Sequence, residues 1–257
     1  MACCRFAARN GHLEVIQYAH ENGYCWDWRE FIRSAARGGY FEPMKYIQKN
    51  GGPWDASTMS CAFDHLEIVK FLHDNGCPWN RELCERAAGC GNLEVLRYAH
   101  ENGCPWDKLT TMAAASNGHL LTLKYAHENG CPWSFNASQN AARNGDLAVL
   151  NYLHNNGCPW HTETCVNAAI SGHVEILKYA HEHGCPWNSS VCFYGARHGH
   201  LDVLQYAHEH GCEWHHLTLE EAVKIGQLDI VKYAHENGCL WNEGLIHLAA
   251  KKGISMC

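Results

Sequence analysis

Seven times along this chain a histidine is followed four residues later by a cysteine: His73 with Cys77, His100 with Cys104, and on through His235 with Cys239. Imidazole nitrogen and thiolate sulfur are the donors zinc prefers, so the spacing could serve a metal. Each motif supplies two donors where a structural zinc site needs four, and zinc signatures meet that count with paired, closely spaced ligands. The histidine also falls in step with an apolar helical face, as in Leu93, Leu96, His100 and in Leu120, Leu123, His127. That phase predicts a buried imidazole bonded to backbone. We therefore expect no metal and no other cofactor, with a metal-binding or redox-responsive repeat as the alternative. A second histidine group, His183, His198, His200, His210, His215 and His216, crowds the C-terminal third, where nickel or copper could bind adventitiously.

The 16 cysteines lack the small size, signal segment and spacing of a secreted disulfide framework. Seven of them (Cys77, Cys104, Cys131, Cys158, Cys185, Cys212 and Cys239) recur at one place in a repeat. Packed helices sit ~10 Å apart, whereas a disulfide needs Cα atoms within about 7 Å, so no disulfide ladder is expected along that column. Catalytic constellations are missing as well. The nearest approach to His-Glu-x-x-His, at His181-Glu182-His183-Gly184-Cys185, ends in Cys. Gly89-Cys90-Gly91 runs into Asn92-Leu93 with no Lys-Ser/Thr to hold a phosphate, and no nucleophile elbow occurs. The chain is not expected to be an enzyme.

A formal net charge of -7, from 20 Lys+Arg against 27 Asp+Glu, is the wrong sign for neutralising phosphates and argues against nucleic acid. No apolar stretch approaches the roughly 18 to 20 residues that cross a bilayer, and the N-terminus has no signal-peptide pattern. These features predict a soluble protein that is intracellular, in the cytoplasm, with no membrane partner.

The elements that must carry these residues are set by a period. Trp recurs at 26, 54, 79, 106, 133, 160, 187, 214 and 241, and from Trp79 onward the interval is always 27 residues, the mark of a stacked array of small units. In the stretch from Trp106 to Pro132, Asp107 is a good N-cap, with Asp27, Asp55, Asn80, Ser134, Asn188 and Asn242 in its place elsewhere. A first helix over 108–116 should end at Gly118, and a second over 119–128 at Asn129-Gly130. Helices this short are marginal alone, so stability must come from stacking. The Trp itself is read as core, its N–H bonded to a carbonyl. Two intervals depart from the period: 28 residues from Trp26, with one extra around 33–39, and 25 from Trp54, shortening the turn to Phe63-Asp64-His65.

The segments GHLEVIQYAHENG at 11–23, GNLEVLRYAHENG at 91–103 and GHVEILKYAHEHG at 172–184, with Ala-Ala-x-x-Gly ahead of them, resemble the helices of ankyrin repeats. The 27-residue period is shorter than that family's ~33 and lacks Thr-Pro-Leu-His, as in divergent ankyrin-type arrays of protists and large DNA viruses. The resemblance implies an all-α helical-repeat solenoid of stacked helix-turn-helix units with reduced β-hairpin fingers. It would span 1–257 as a single repeat domain of nine helix pairs and a final unpaired helix. It also implies a protein-binding scaffold, because in such stacks the first helices line a concave face. The residues that differ between repeats there are Arg81, Glu82, Lys108, Thr110, Phe135, Asn136, Thr162, Glu163, Ser189, Ser190, His216 and Thr218. These are the expected contacts for a protein partner. The apolar Cys3, Cys4, Phe6 and Ala7 and the broken-off Ile254-Ser255-Met256-Cys257 suggest uncapped ends and end-to-end self-association.

Overall fold

The computed structural model describes residues 6–7, 9–24, 27–134 and 136–240. Trp26, Phe135, Cys3, Cys4 and everything from Trp241 on, including the cap Asn242 and the expected last helix, lie outside the described residues. Two compact units divide the chain, Met1–Ser134 and Phe135–Cys257. The first holds α1 (Leu13–Glu21), the pair α2 (Trp28–Gly38) and α3 (Phe41–Lys49), the pair α4 (Ala56–Cys61) and α5 (Leu66–Asp74), the pair α6 (Arg81–Gly89) and α7 (Leu93–Glu101), and the pair α8 (Lys108–Ser116) and α9 (Leu120–Glu128). The second holds the pairs α10 (Asn136–Asn144) and α11 (Leu147–Asn155), α12 (Thr162–Ser171) and α13 (Val174–Glu182), α14 (Ser190–His198) and α15 (Leu201–Glu209), and α16 (Thr218–Ile225) and α17 (Leu228–Glu236). No strand occurs among the described residues.

Several first helices start where a polar side chain satisfies free N–H groups. Asp27 accepts from the N–H of Arg29 and Glu30, Asp55 from Ser57 and Thr58, Asn80 from Glu82 and Asp107 from Leu109. In the second compact unit Asn188 accepts from Ser190, and imidazoles take the same place: His161 Nδ1 accepts from Glu163 at 3.3 Å and His215 Nδ1 from Leu217 at 3.2 Å. His161 is thus a helix cap that the Asp/Asn pattern did not reveal, while His215 closes the turn just before α16, whose N-cap is Leu217.

Left-handed glycines close the helices, among them Gly118 at φ 75° and Gly130 at φ 85°. The glycines after the first helices have a second duty, which explains the recurring Gly-His pair. Four of them, Gly39, Gly91, Gly145 and Gly172, lie beneath a histidine of the following repeat, whereas Gly11 lies beneath Tyr40 and Gly199 beneath Gln227: a Cβ on Gly145 would stand 2.7 Å from the His173 ring, and one on Gly91 would stand 2.6 Å from His119. The ring then anchors to the backbone beside it, as His200 Nε2–H does to Ile170 O at 3.2 Å.

The core is a set of columns. Ala87-Ala88, Ala114-Ala115, Ala141-Ala142 and Ala168-Ala169, near the ends of the first helices, are fully buried, and so are Leu96, Leu123, Leu150 and Leu177 of the second helices. Because alanine leaves almost no bulk between backbones, first helices contact one another more extensively than second helices do, α6 with α8 in one compact unit and α10 with α12 in the other. The irregular intervals resolve differently from expectation in one case. The 28-residue interval is a longer first helix, α2 with 11 residues. The 25-residue interval shortens the helix itself, α4 having only 6 residues, while the connection Ala62–His65 is not compressed.

Candidate interaction surface

Within each compact unit the first helices present a polar side. Arg81, Glu82, Lys108, Glu163 and His216 are exposed, and Asn136, Thr162, Ser189 and Ser190 are half-buried. Thr110 and Thr218 do not belong with them: they are 1% and 0% exposed. The reason is helical phase. At 100° per residue, Thr110 lies about 200° round from Lys108, and the positions one repeat apart from it (Leu83, Ala137, Thr164, Val191 and Thr218) are all buried. Phe135 is outside the described residues.

The same phase extends the exposed side one turn further along each helix, to residues not expected from the helix starts. Arg86, Arg143, Arg197, His198 and Lys224 are exposed there, and Tyr194 is half-exposed. Spacing of four from Glu82 to Arg86, or of seven from Ser190 to Arg197, would have found them. Several are tied only loosely. Arg86 pairs with Glu82 at 3.6 Å, and Arg197 pairs with Glu221 at 3.7 Å while lying 5.8 Å from the Phe193 ring centroid. Arg81 reaches the cap of the next repeat, Nη1 to Asp107 Oδ2 at 3.2 Å. Exposed pairs such as Arg86 with Glu82 contribute little to stability, which leaves such side chains able to exchange partners, whereas the Glu221 end of the Arg197 pair is largely covered.

The Trp and His columns belong elsewhere, and both expectations for them need correction. The histidine of His-x3-Cys is half-buried in most repeats, and from His100 to His208 it lies face to face with the Trp that follows it, whereas His73 meets Trp79 at 33°. His100 and Trp106 are 3.7 Å apart at 13°, and His181 and Trp187 have the same distance and angle. For His73, and for His20 at the same place in an earlier repeat, the polar partner is a side chain of the next repeat: Nδ1 of His73 is 3.0 Å from Tyr98 Oη, and Nδ1 of His20 is 2.9 Å from Tyr46 Oη. The described tryptophans are half-buried and not core, although the indole N–H of Trp79 and Trp214 does donate to a carbonyl as expected, Asn102 O and Asn237 O at 3.0 and 2.9 Å. Ring contacts across repeats thus replace a wholly buried imidazole. In the C-terminal histidine group, His183 approaches His154 to 5.3 Å and His210 approaches His181 to 5.9 Å. Burial first, and the neighbouring imidazole second, hold His154 and His181 below the usual histidine range.

The cysteine of each motif turns to a different partner. Its thiol donates to the carbonyl of the residue that starts the first helix of its own repeat: Cys77 to Asp55 at 3.3 Å, Cys131 to Asp107 at 3.2 Å, Cys185 to His161 at 3.5 Å and Cys212 to Asn188 at 3.2 Å. Histidine and cysteine of one motif are therefore held apart by separate contacts, and among the described residues no group of three or more His, Cys, Asp or Glu converges.

A sequence model described as ankyrin repeats (many copies) matches residues 165–208. No curated protein matches this sequence. Among solved structures, the crystal structure of the human ASB11 ankyrin repeat domain is similar with a TM-score of 0.52 at 17% identity, covering 61% of this chain and 84% of that one. Likeness at that identity speaks for the fold.

Proposed function

From the premise that this chain is an ankyrin-repeat protein, we propose that it is a non-catalytic scaffold that binds a protein partner through the exposed side of its first helices. One observation carries the reading. Buried columns repeat from unit to unit, whereas the exposed side offers Arg81 and Glu82, then Lys108, then Thr162 and Glu163, then Ser190 and Arg197. Within each compact unit, a stack with a fixed interior and a changing exterior can present a particular sequence of charges and rings without reorganising, which lowers the entropic cost of binding. Arg and Tyr, which dominate binding energy where they are buried by a partner, stand on that side at Arg86, Tyr194 and Arg197. The negative formal charge of -7 disfavours nucleic acid as the partner, and no helix of the described residues is long and apolar enough to cross a membrane.

The test uses a partner captured with the full chain as bait and then purified. Glu82→Lys, Lys108→Glu and Glu163→Lys should each weaken its binding by roughly tenfold, about 1.4 kcal/mol, while thermal stability moves by no more than about 0.5 kcal/mol. Unchanged affinity in the triple variant removes the first-helix face as the contact.

A further inference from the structure

Three repeats carry a second buried cysteine five residues after the Trp. Cys84, Cys165 and Cys192 each precede the recurring cysteine of their own repeat by the same interval, giving the pairs Cys84 and Cys104, Cys165 and Cys185, and Cys192 and Cys212. All six thiols are buried, from 0% to 4% exposed. Within each pair the side chains hydrogen-bond to one another. Cys192 Sγ also stands 3.9 Å from Cys212 O. The repeat that carries serine in this place shows the spacing directly, with Ser138 Oγ and Cys158 Sγ 3.2 Å apart. Serine and cysteine share a skeleton, so a sulfur at that position touches the recurring sulfur. In other repeats the same position is Met59, Thr111 or Leu219, and Cys77, Cys131 and Cys239 face no thiol there.

We propose that these three pairs are sites of reversible oxidation, each closing a disulfide within its own repeat in the presence of a small disulfide oxidant such as oxidised glutathione. The recurring cysteine is the attacking group. It is the less buried cysteine of each pair, 3% or 4% exposed against 0%, and the contact between the two thiols lowers its pKa. Cys104 thiolate attacks one sulfur of the oxidant, forming a mixed disulfide and releasing one glutathione thiolate. Cys84, losing its proton, then attacks the Cys104 sulfur and expels the second glutathione thiolate. The repeat gives up two hydrogens and two electrons, and the oxidant leaves as two thiols. Because both sulfurs are shielded, the rate is set by local opening of the repeat. Each closed bridge ties the first helix, which bears the exposed variable residues, to the Cys-Pro-Trp segment (Cys-Glu-Trp in the Cys212 repeat) of the same unit.

The experiment exposes the native full-length chain to oxidised glutathione, traps free thiols by alkylation after acid quenching, and maps peptides without reduction. Cross-linked peptides should join 84 to 104, 165 to 185 and 192 to 212, while Cys131 and Cys158 stay alkylated, and dithiothreitol should restore all six thiols. Cys192→Ser should leave Cys212 alkylated and the other two bridges intact. Ser138→Cys should create a fourth bridge to Cys158, a gain that does not depend on the loss variant folding. Bridges scattered among unpaired cysteines, equal alkylation of paired and unpaired cysteines after oxidation, or a Ser138→Cys chain without the fourth bridge would each overturn the assignment.

Discussion

His181 shows what one side chain does in this stack. Its ring lies 3.7 Å from Trp187 on one side, with the edge of Tyr206 and the imidazole of His210 about it at 6.1 and 5.9 Å. Burial and then the charge of His210 disfavour the imidazolium, so it titrates below its ordinary value of about 6.5. The unfolded chain then binds more protons than the folded one. This contribution to stability is complete above about pH 6.5 and is lost as pH falls through the interval below it, down to the folded value. NMR titration should put the midpoint of His181 below that of a model histidine, and His210→Gln should raise it without fully restoring it, because burial remains. A midpoint at or above 6.5 would mean the ring is solvated or charge-paired. At this scale the sequence was a partial guide. Helical phase marked the histidine as inward, but its half-exposure depends on Tyr206 of the next repeat, which no reading of one repeat supplies. Thr110 was misplaced for the opposite reason, since it varies between repeats as a surface residue does and yet points inward.

The helical elements were the clearest part of the sequence, because caps and stops are local. Asp107 and Gly118 bracket α8 at the residues expected, and α4, which keeps Asp55 as its cap but has no closing glycine, ended early before Ala62. Two glycines with the same backbone conformation separate the local cost of a turn from the cost of stacking. Gly130 has φ +85° and open space where a Cβ would go, whereas Gly145 has φ +77° and the His173 ring 2.7 Å from that point. Gly130→Ala should therefore cost about 1 kcal/mol, the left-handed strain alone. Gly145→Ala adds a displaced ring and should cost about 2 to 3 kcal/mol, within the range for overpacking. Urea denaturation of the two variants decides this, and equal losses would show that the glycine under histidine is not a packing requirement.

For the molecule as a whole, the contacts sort into those closed within one repeat and those passed to the next. The thiol-to-carbonyl bond is internal, as from Cys104 to Asn80, whereas His73 reaches forward to Tyr98 and Arg81 to Asp107. A block cut at equivalent points removes one full set of each and leaves every remaining repeat with a neighbour of the same kind. Deleting 80–106, one period, joins Trp79 to Asp107 and presents Tyr125 where Tyr98 stood. The shortened chain should keep its helical content per residue and a cooperative thermal transition by circular dichroism; a molten, aggregating product would show that the repeats are not interchangeable. The stacking order was evident from the Trp period alone. The contact face was not, because which variable residues a partner uses is a property of the pair.

The face-to-face rings also have an optical consequence. An excited indole in contact with an imidazolium loses its excitation by electron transfer, while a neutral imidazole leaves it bright, so each His and Trp stack couples proton uptake to light emission. Trp187, observed with the other indoles replaced by Phe, should dim as His181 takes up its proton, and should stay bright to a lower pH than an unhindered pair because burial and His210 delay that step. Emission that is flat across the titration recorded by NMR would mean the rings part before the proton arrives.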